Sequence, residues 1–248
     1  LTLIAELNLN DIKGKSEPAL DAWSSAAALA AVTRSIELMV AVRPNFHHPG
    51  LFAKQAANID RISGGRLALN VVSSWWAEEA KQYGLPFDQH DDRYARTSEW
   101  LRVVDGLWRE ERFNHEGERY RFQDAIVSPK PVRKPVVYAG GESEAAKDLI
   151  ARQCDAYVMH GDEPQVIRAK IADMAARRER FGLPPMRYGM AAYAIVRDSD
   201  AEAEAEVARI TDMGDRPPPG FDNFEQWLTG TELERELKIR EYSVSNRG

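Results

Sequence analysis

The hydrophobic pattern of this chain changes its period several times. Short apolar runs, typical of buried strands, alternate with stretches whose apolar residues recur every three to four positions, as on one face of a helix. The pattern predicts strands at residues 3–9, 36–42, 67–72, 136–139, 156–159 and 188–196, and helices at residues 20–32, 49–62, 92–108, 144–152, 164–181 and 201–210.

This alternation indicates βα units built around a parallel sheet. Two α/β architectures are compatible with it, a closed barrel and an open doubly wound sheet. No glycine-rich dinucleotide fingerprint follows any predicted strand, which favours the barrel. The chain opens on Leu1 directly in an apolar run and ends at residues 245–248 in loop-like sequence. We therefore expect strands outside this chain to complete the eight of a barrel.

Two segments depart from the alternation. Within residues 112–131, apolar and aromatic residues flank a turn at His115-Glu116-Gly117, which predicts a small hairpin outside the main sheet. Residues 214–248 are rich in proline and charge, and they predict a mobile loop or tail rather than barrel wall. We interpret the whole of residues 1–248 as a single, incomplete barrel domain.

Composition narrows the classes of partner. A net charge of −6 and a pI near 5.5 argue against nucleic acid or an anionic membrane surface, because both require a basic footprint. No apolar run approaches the ~20 residues that span a bilayer. The single cysteine, Cys154, cannot form an internal disulfide, which suits a reducing cytoplasm. Its apolar setting favours a small buried hydrophobe over a reactive thiol.

In a βα barrel the active site forms at the carboxyl ends of the strands. At one of these ends, Gly140-Gly141-Glu142-Ser143 joins a predicted strand to a predicted helix. Glycines let the backbone approach a ligand, and free N–H groups at a helix start favour an anion, so the loop could hold a phosphate. From the residues alone, Ser143 is explained equally well as a helix N-cap and the glycines as a tight turn.

Aromatic and histidine residues gather near other strand ends. Aromatic rings could wall a planar group, although burial in the core explains them equally well. His47-His48 with Asp11 or His160 is a weak metal signal, because neighbouring loop residues rarely bind one ion and no HxH or HxxxH spacing is present. We therefore expect no metal site. The aromatic candidates are Phe46, Trp75, Trp76 and Tyr94.

Longer stretches carry a family resemblance. The segment IELMVAVRPNFHHPGLFAKQAANIDRISGGRLALNVVSSWWAEEAKQYG and then HDDRYARTSEWLRVVDGLW, FNHEGERYRFQDAIVSPKP, YAGGESEAAKDLIARQCDAYVMHG and RYGMAAYAIVRDS resemble the bacterial luciferase-like flavin monooxygenases. The branch they resemble is that of the alkanesulfonate and dimethyl sulfone monooxygenases. The resemblance implies a (β/α)8 TIM barrel, with its first and last strands outside this chain, that assembles as a dimer or tetramer. It also implies FMN used as FMNH2, a separate NAD(P)H-dependent reductase and O2.

Carried over position by position, the resemblance assigns flavin-binding roles. Asn70 would contact the flavin ring at the end of its strand, and Ile4-Ala5 would lie beside the isoalloxazine. Glu79 matches a flavin-contacting glutamate of related pyrimidine monooxygenases. This assignment favours the phosphate interpretation of the glycine loop. The implied phosphate-end residues are Arg93, Tyr94, Ser143 and the backbone of Gly141.

The chain also departs from the alkanesulfonate enzymes. Where those carry an arginine and a histidine on a late strand, this chain has Ala191 and Tyr193. Losing the guanidinium removes a bidentate partner for a sulfonate, so a neutral sulfone or another small organic molecule is as plausible a substrate. Either His47 or His160 could act as acid or base at neutral pH. The candidate pocket residues are Arg43, His47, His160, Tyr193 and Arg247.

Three other functions remain open from the sequence. An oxidoreductase of the same fold that uses the deazaflavin F420 would transfer hydride without O2. A flavin-binding protein without turnover is consistent with the lost sulfonate-binding arginine. A metal-dependent barrel hydrolase is the third alternative.

Overall fold

The computed structural model describes residues 1–10, 14–191 and 194–211. The predicted tail at residues 214–248 and the candidate residues Asp11, Tyr193 and Arg247 lie outside the described residues. The strands are β1 (Thr2–Ile4), β2 (Leu38–Val42), β3 (Leu67–Val71), β4 (Phe113–Glu116), β5 (Arg121–Ala125), β6 (Val136–Ala139), β7 (Ala156–His160) and β8 (Arg187–Ala191). The helices are α1 (Ala22–Val32), α2 (Pro49–Ser63), α3 (Ala77–Gln82), α4 (His90–Arg109), α5 (Glu144–Gln153), α6 (Pro164–Arg180) and α7 (Asp200–Thr211).

Six strands form one sheet in the order β1-β2-β3-β6-β7-β8. The ladders β1–β2, β2–β3, β3–β6 and β6–β7 are parallel. Helices α1, α2, α4, α5 and α6 pack against one another in chain order beside this sheet. The predicted alternation of strands and helices is therefore confirmed, and the sheet forms a half-barrel.

The two faces of the sheet have different roles. Leu38, Val40 and Val42 of β2 lie in the hydrophobic core shared with the helices. Because successive strand residues point to opposite faces, Ala41 projects to the face away from the helices. Ala41 pairs in register with Asn70, which pairs with Tyr138. This row crosses three strands near their carboxyl ends.

The chain divides into two compact units. The first comprises Leu1–Asn8 and Ala19–Gly189, and it holds the hydrophobic core. The second comprises Leu9–Pro18 and Met190–Gly248, and its described residues include helix α7.

Two strands end five residues earlier than predicted. The strand predicted at residues 3–9 ends at Ile4, because the main chain beyond it is bound by side chains: the Asn8 N–H donates to Glu79 Oε1 at 2.6 Å. The strand predicted at residues 188–196 ends at Ala191, and residues 194–196 are irregular. Val196 is 81% exposed, so its hydrophobicity does not reflect burial in the sheet.

Strands β4 and β5 form an antiparallel hairpin separate from the main sheet, within the range predicted for it. The buried Glu99 of α4 secures its turn by accepting the backbone N–H of Arg119 at 3.1 Å and that of Tyr120 at 2.9 Å, and by contacting His115 Nε2 at 3.2 Å. A Cβ at Gly117 would overlap the Glu99 carboxylate, so the turn requires glycine there. These contacts fix the hairpin to α4.

Cys154 is buried, as predicted, and burial raises the pKa of its thiol to about 12. This is the behaviour of a small core residue rather than a nucleophile. Within residues 1–10, 14–191 and 194–211, no helix is both long and apolar enough to cross a membrane.

Candidate functional site

The glycine loop connects β6 to the first turn of α5. Ser143 is the N-cap of α5, and its hydroxyl accepts the Ala146 N–H at 3.2 Å. A Cβ at Gly140 would lie 2.8 Å from the carbonyl oxygen of Val158, and a Cβ at Gly141 would lie 2.6 Å from the Cβ of Ala146. Both glycines are therefore explained by close approach to neighbouring elements, and the loop is fixed tightly at the carboxyl end of β6.

The structure brings Tyr94 of α4 to this loop, whereas its neighbour Arg93 lines a pocket between the loops that follow β2 and β3. The Tyr94 hydroxyl lies 3.6 Å from the position of a Cβ on Gly141. Burial raises the pKa of Tyr94, while Ser143 and Arg93 act in the opposite direction. Three of the residues implied to bind the phosphate end, Tyr94, Gly141 and Ser143, therefore meet at one strand end.

Arg93, the neighbour of Tyr94 in α4, carries an unused donor. Its guanidinium lies over the ring of Phe87 at 4.5 Å, and burial lowers its pKa from the ordinary value. Its Nε atom is buried and has no hydrogen-bond partner among the described residues. A buried, unpaired guanidinium nitrogen is costly, and an oxyanion would satisfy it.

Two carboxylates flank the loop, and cations neutralise each of them. Glu142 pairs with Lys170 at 3.0 Å. Hydrogen bonds from Lys147 and Arg177 lower the pKa of Glu144 to about 2. These pairs reduce the negative field that the loop presents to an anion. The hydroxyls, the orphaned Arg93 nitrogen and the start of α5 therefore fit a phosphate group.

The inner face of the half-barrel carries a row of side chains near the carboxyl ends of the strands. Ala41, Asn70 and Tyr138 lie in one row across three strands, and Asn70 is half-buried. Ile4 pairs in register with Val40 and packs against the core on the helix side, so its side chain points away from that row. Of the pair implied to lie beside the ring, Ala5 is exposed.

Arg43 and Glu79 lie beneath the strand ends rather than in an open pocket. Their side chains form an ion pair, with Arg43 Nη1 against Glu79 Oε2 and Nη2 at 3.3 Å from Oε1. Arg43 is 2% exposed and Glu79 is 0% exposed. Arg43 was predicted to line the pocket, and Glu79 was implied to contact the flavin. In the structure both side chains are instead buried in an ion pair with each other.

Sequence reasoning missed Glu6, which links several of these groups. It is buried, and its carboxylate accepts the Trp23 indole N–H at 3.2 Å and the Arg43 backbone N–H at 2.7 Å. It also contacts His47 Nε2. The available signal was a carboxylate inside the apolar run at residues 3–9, since such a position needs buried partners.

The two adjacent histidines point to different surroundings. His47 contacts Glu6 and packs edge-on against Trp23 and Phe52, with centroid distances of 5.9 and 5.6 Å. His48 instead lies beside the hairpin ring of Phe122 at 5.7 Å. Among the described residues, no group of three His, Cys, Asp or Glu side chains could hold a metal ion.

His160 is the last residue of β7, at the same edge of the sheet. Desolvation lowers the pKa of its imidazole, and Lys170 adds to this effect while Glu142 opposes it. The neutral ring is therefore the favoured form at physiological pH.

The aromatic candidates do not form a single wall. Trp75 and Trp76 stack with an interplanar angle of 3° and a centroid distance of 5.5 Å. Phe46 lies beside Tyr83, and Tyr94 beside His90. A small pocket, with a volume of about 10 Å³, lies between the loops that follow β2 and β3, and its polar lining includes Asn45, Ser73, Ser74, Arg93 and Arg96.

Comparison with known proteins identifies relatives of this chain. A family model described as luciferase-like monooxygenase matches residues 3–245. An FMNH2-dependent dimethylsulfone monooxygenase of Pseudomonas putida is 37% identical over 199 residues, covering 79% of this chain and 54% of the relative. The protein of the same description from Pseudomonas fluorescens (strain Pf0-1) is 36% identical over 188 residues, covering 76% and 51%.

The fold has a counterpart among solved structures. A long-chain alkane monooxygenase superposes with a TM-score of 0.83 at 20% identity, covering 98% of this chain and 66% of that one. This likeness shows the fold. The chain spans about half the length of the curated relatives that it matches.

Proposed function

This chain belongs to the luciferase-like monooxygenase family, and we propose that it is the core of an FMNH2- and O2-dependent monooxygenase that acts on a small organosulfur or similar organic compound. Reduced flavin would come from a separate NAD(P)H-dependent reductase, as in a two-component system. The proposal rests on the family match together with the site at the carboxyl ends of the strands.

The single observation that carries the proposal is the cradle formed by Gly141, Ser143 and Tyr94, together with Arg93, which directly precedes Tyr94 on α4. It combines two hydroxyl groups, a helix start and a buried guanidinium nitrogen without a partner among the described residues. These donors suit a phosphate monoester dianion. Beside them, the row of Ala41, Asn70 and Tyr138 gives an inner face on which a planar ring could lie.

FMN, when bound in reduced form, supplies the chemistry of O2 activation. The protein's residues bind and orient the cofactor, and they shield the reacting centre from water. The phosphate cradle fixes one end of the cofactor, and Asn70 offers an amide to the ring. The stacked Trp75 and Trp76 help to exclude water from the reacting centre. His47 or His160 holds or transfers a proton at an imidazole nitrogen.

We favour a neutral sulfone over a sulfonate as the substrate. The two curated relatives are described as dimethylsulfone monooxygenases. This chain has Ala191 and Tyr193 where the alkanesulfonate enzymes have an arginine and a histidine. A sulfonate would lack its bidentate cationic partner there, whereas a sulfone carries no charge to be neutralised.

The proposal extends to the architecture. We propose that the half-barrel belongs to a single (β/α)8 barrel domain, with the first and last strands supplied by sequence outside this chain. The complete protein would be a cytoplasmic homo-oligomer.

The experiment is a cofactor titration followed by a turnover assay. The complete protein is titrated with FMN, FMNH2 and F420, and the bound species is then supplied with reductase, NADH, O2 and either dimethyl sulfone or a short alkanesulfonate. We expect FMNH2 to bind most tightly and the sulfone to be oxidised. Tight binding of F420 with no O2-dependent product would overturn the proposal.

A further inference from the structure

The proposed function leaves open which residue moves protons and how that residue is prepared for the task. One buried carboxylate bears on this question. Glu6 reaches His47 across the loop that follows β2, and it has no other imidazole partner among the described residues. The His47 ring is 20% exposed, whereas the Glu6 side chain is 6% exposed. The imidazole is therefore more accessible than the buried carboxylate that it contacts.

The carboxylate of Glu6 is held in place by groups that cannot exchange protons near neutral pH. Its Oε1 accepts the Trp23 indole N–H, and its Oε2 accepts the backbone N–H of Arg43. The Arg43 side chain directs its terminal nitrogens at Glu79, and it approaches Glu6 through Nε at 3.4 Å. His47 is thus the titratable group that Glu6 engages most directly.

The ring of His47 is fixed on its other sides as well. Trp23 and Phe52 pack edge-on against it, and its backbone carbonyl accepts the Trp100 indole N–H at 2.8 Å. The hydrogen bond made by one imidazole nitrogen decides which tautomer a neutral histidine adopts. With Nε2–H donating to Glu6, the lone pair must reside on Nδ1.

We propose that Glu6 is a positioning residue that holds His47 in the Nε2–H tautomer, so that Nδ1 is the nitrogen that accepts and returns a proton during turnover. This inference rests on the proposed function for its catalytic meaning. When Nδ1 takes a proton, the positive charge of the imidazolium forms against the Glu6 carboxylate, which stabilises it. The proton leaves again from the same nitrogen, and no further reactant is needed.

The structure offers a matched control pair. Glu99 and His115 form a second buried carboxylate–imidazole contact, at 3.2 Å, on the hairpin side of α4. Glu99 also receives two backbone N–H groups, from Arg119 and Tyr120. The substitution Glu99→Gln changes the same chemical group at a place that the proposed mechanism does not use.

The test reads the tautomer directly. The chain has five histidines, so 15N-histidine labelling gives a small set of long-range 1H–15N correlations in the complete protein, and His47→Gln assigns the one of interest. We expect His47 of the wild type to be the Nε2–H tautomer, and Glu6→Gln to give mixed tautomers. Glu6→Gln should also lower kcat by roughly 10- to 100-fold with little change in FMN affinity. Glu6→Asp should recover part of the loss, and Glu99→Gln should leave His47 unchanged.

Several outcomes would overturn the inference. One is an Nδ1–H tautomer in the wild type, which needs no variant and therefore does not depend on Glu6→Gln folding. Another is a Glu6→Gln protein, shown by circular dichroism to be folded, that keeps either a single Nε2–H tautomer or wild-type turnover. Failure of the wild type to bind FMN would instead overturn the proposed function, and it would leave the tautomer result standing.

Discussion

Among the described residues, two buried glutamates each contact a histidine, and their surroundings differ in a way that separates function from structural support. The Glu99 carboxylate accepts the backbone N–H groups of Arg119 and Tyr120 as well as contacting His115, and it thereby secures a hairpin turn. In that described part of the chain, Glu6 has one backbone donor, Arg43, and it contacts His47 in the loop that follows β2. The Glu99–His115 pair therefore serves the hairpin turn, whereas the Glu6–His47 pair is the one that we propose acts in turnover.

The largest expected effect is on kcat, and it distinguishes the two histidines of these pairs. His47→Gln should lower kcat by roughly 100-fold or more, because general acid–base groups contribute on that scale. His115→Gln should leave kcat within about twofold, because its ring serves the hairpin. Steady-state assays at saturating FMNH2 and substrate measure both. Equal losses in the two variants would contradict the distinction between the pairs.

The second effect is on the free energy of unfolding, and it concerns Glu99. Glu99→Gln should cost about 1–3 kcal/mol of unfolding free energy, because it removes the charge from a buried acceptor of two backbone N–H groups. Urea unfolding at neutral pH measures it. The variant's kcat should stay close to that of the wild type once it is folded. A large loss of turnover with unchanged stability would place Glu99 in the reaction instead.

Glu99 also gives a dependence of stability on pH. Burial alone would raise its pKa, but hydrogen bonds from Tyr120, His115 and Arg119 outweigh burial and hold the pKa below the ordinary value of 4.5. The ionised carboxylate therefore stabilises the native state above pH 4.5, and this contribution is lost as the pH falls through the lower pKa of the folded protein. Thermal unfolding in acid should show a smaller pH dependence for Glu99→Gln than for the wild type. Identical pH dependences would contradict this assignment.

The smallest effect extends the comparison to two helix N-caps. Ser143 caps α5 at the proposed phosphate loop, and Asp21 caps α1 by accepting the Ser24 N–H at 2.6 Å. Replacing either with alanine should cost about 1 kcal/mol of unfolding free energy. Only Ser143→Ala should also weaken FMN binding, by roughly fivefold to tenfold, as measured by fluorescence titration. A similar loss of FMN affinity in Asp21→Ala would reduce the role of Ser143 to capping.

The sequence pattern predicted the strand bounds correctly where neighbouring residues alone determine them. The strand at Val136–Ala139 was predicted at its observed bounds because Pro135 and Gly140 delimit it. The run Leu38–Val42 is buried throughout, as a strand covered on both faces should be. The first strand was overestimated because its length is set by long-range contacts to Glu79, and no local signal reports those.

The candidate site was predictable only in part, for the same reason. The loop at Gly141 and Ser143 lies at a strand–helix junction, a place that the pattern identifies. The function of Glu6 depends on Trp23, Arg43 and His47, which are 17 to 41 residues away along the chain. Side chains so distant in sequence meet only through the register of β1 and β2. The sequence shows that Glu6 lies in an apolar run, but it does not show which residues the Glu6 carboxylate contacts.

The central claim is that the loop after β6 recognises the phosphate of a reduced flavin. Comparing the binding of FMN with that of riboflavin, which lacks the phosphate, tests it most directly. The wild-type protein should bind FMN at least tenfold more tightly than riboflavin. This preference should shrink in Gly141→Ala, where the new Cβ would lie 2.6 Å from that of Ala146, and it should persist in Asp21→Ala. Equal affinities for FMN and riboflavin in the wild type would contradict the account.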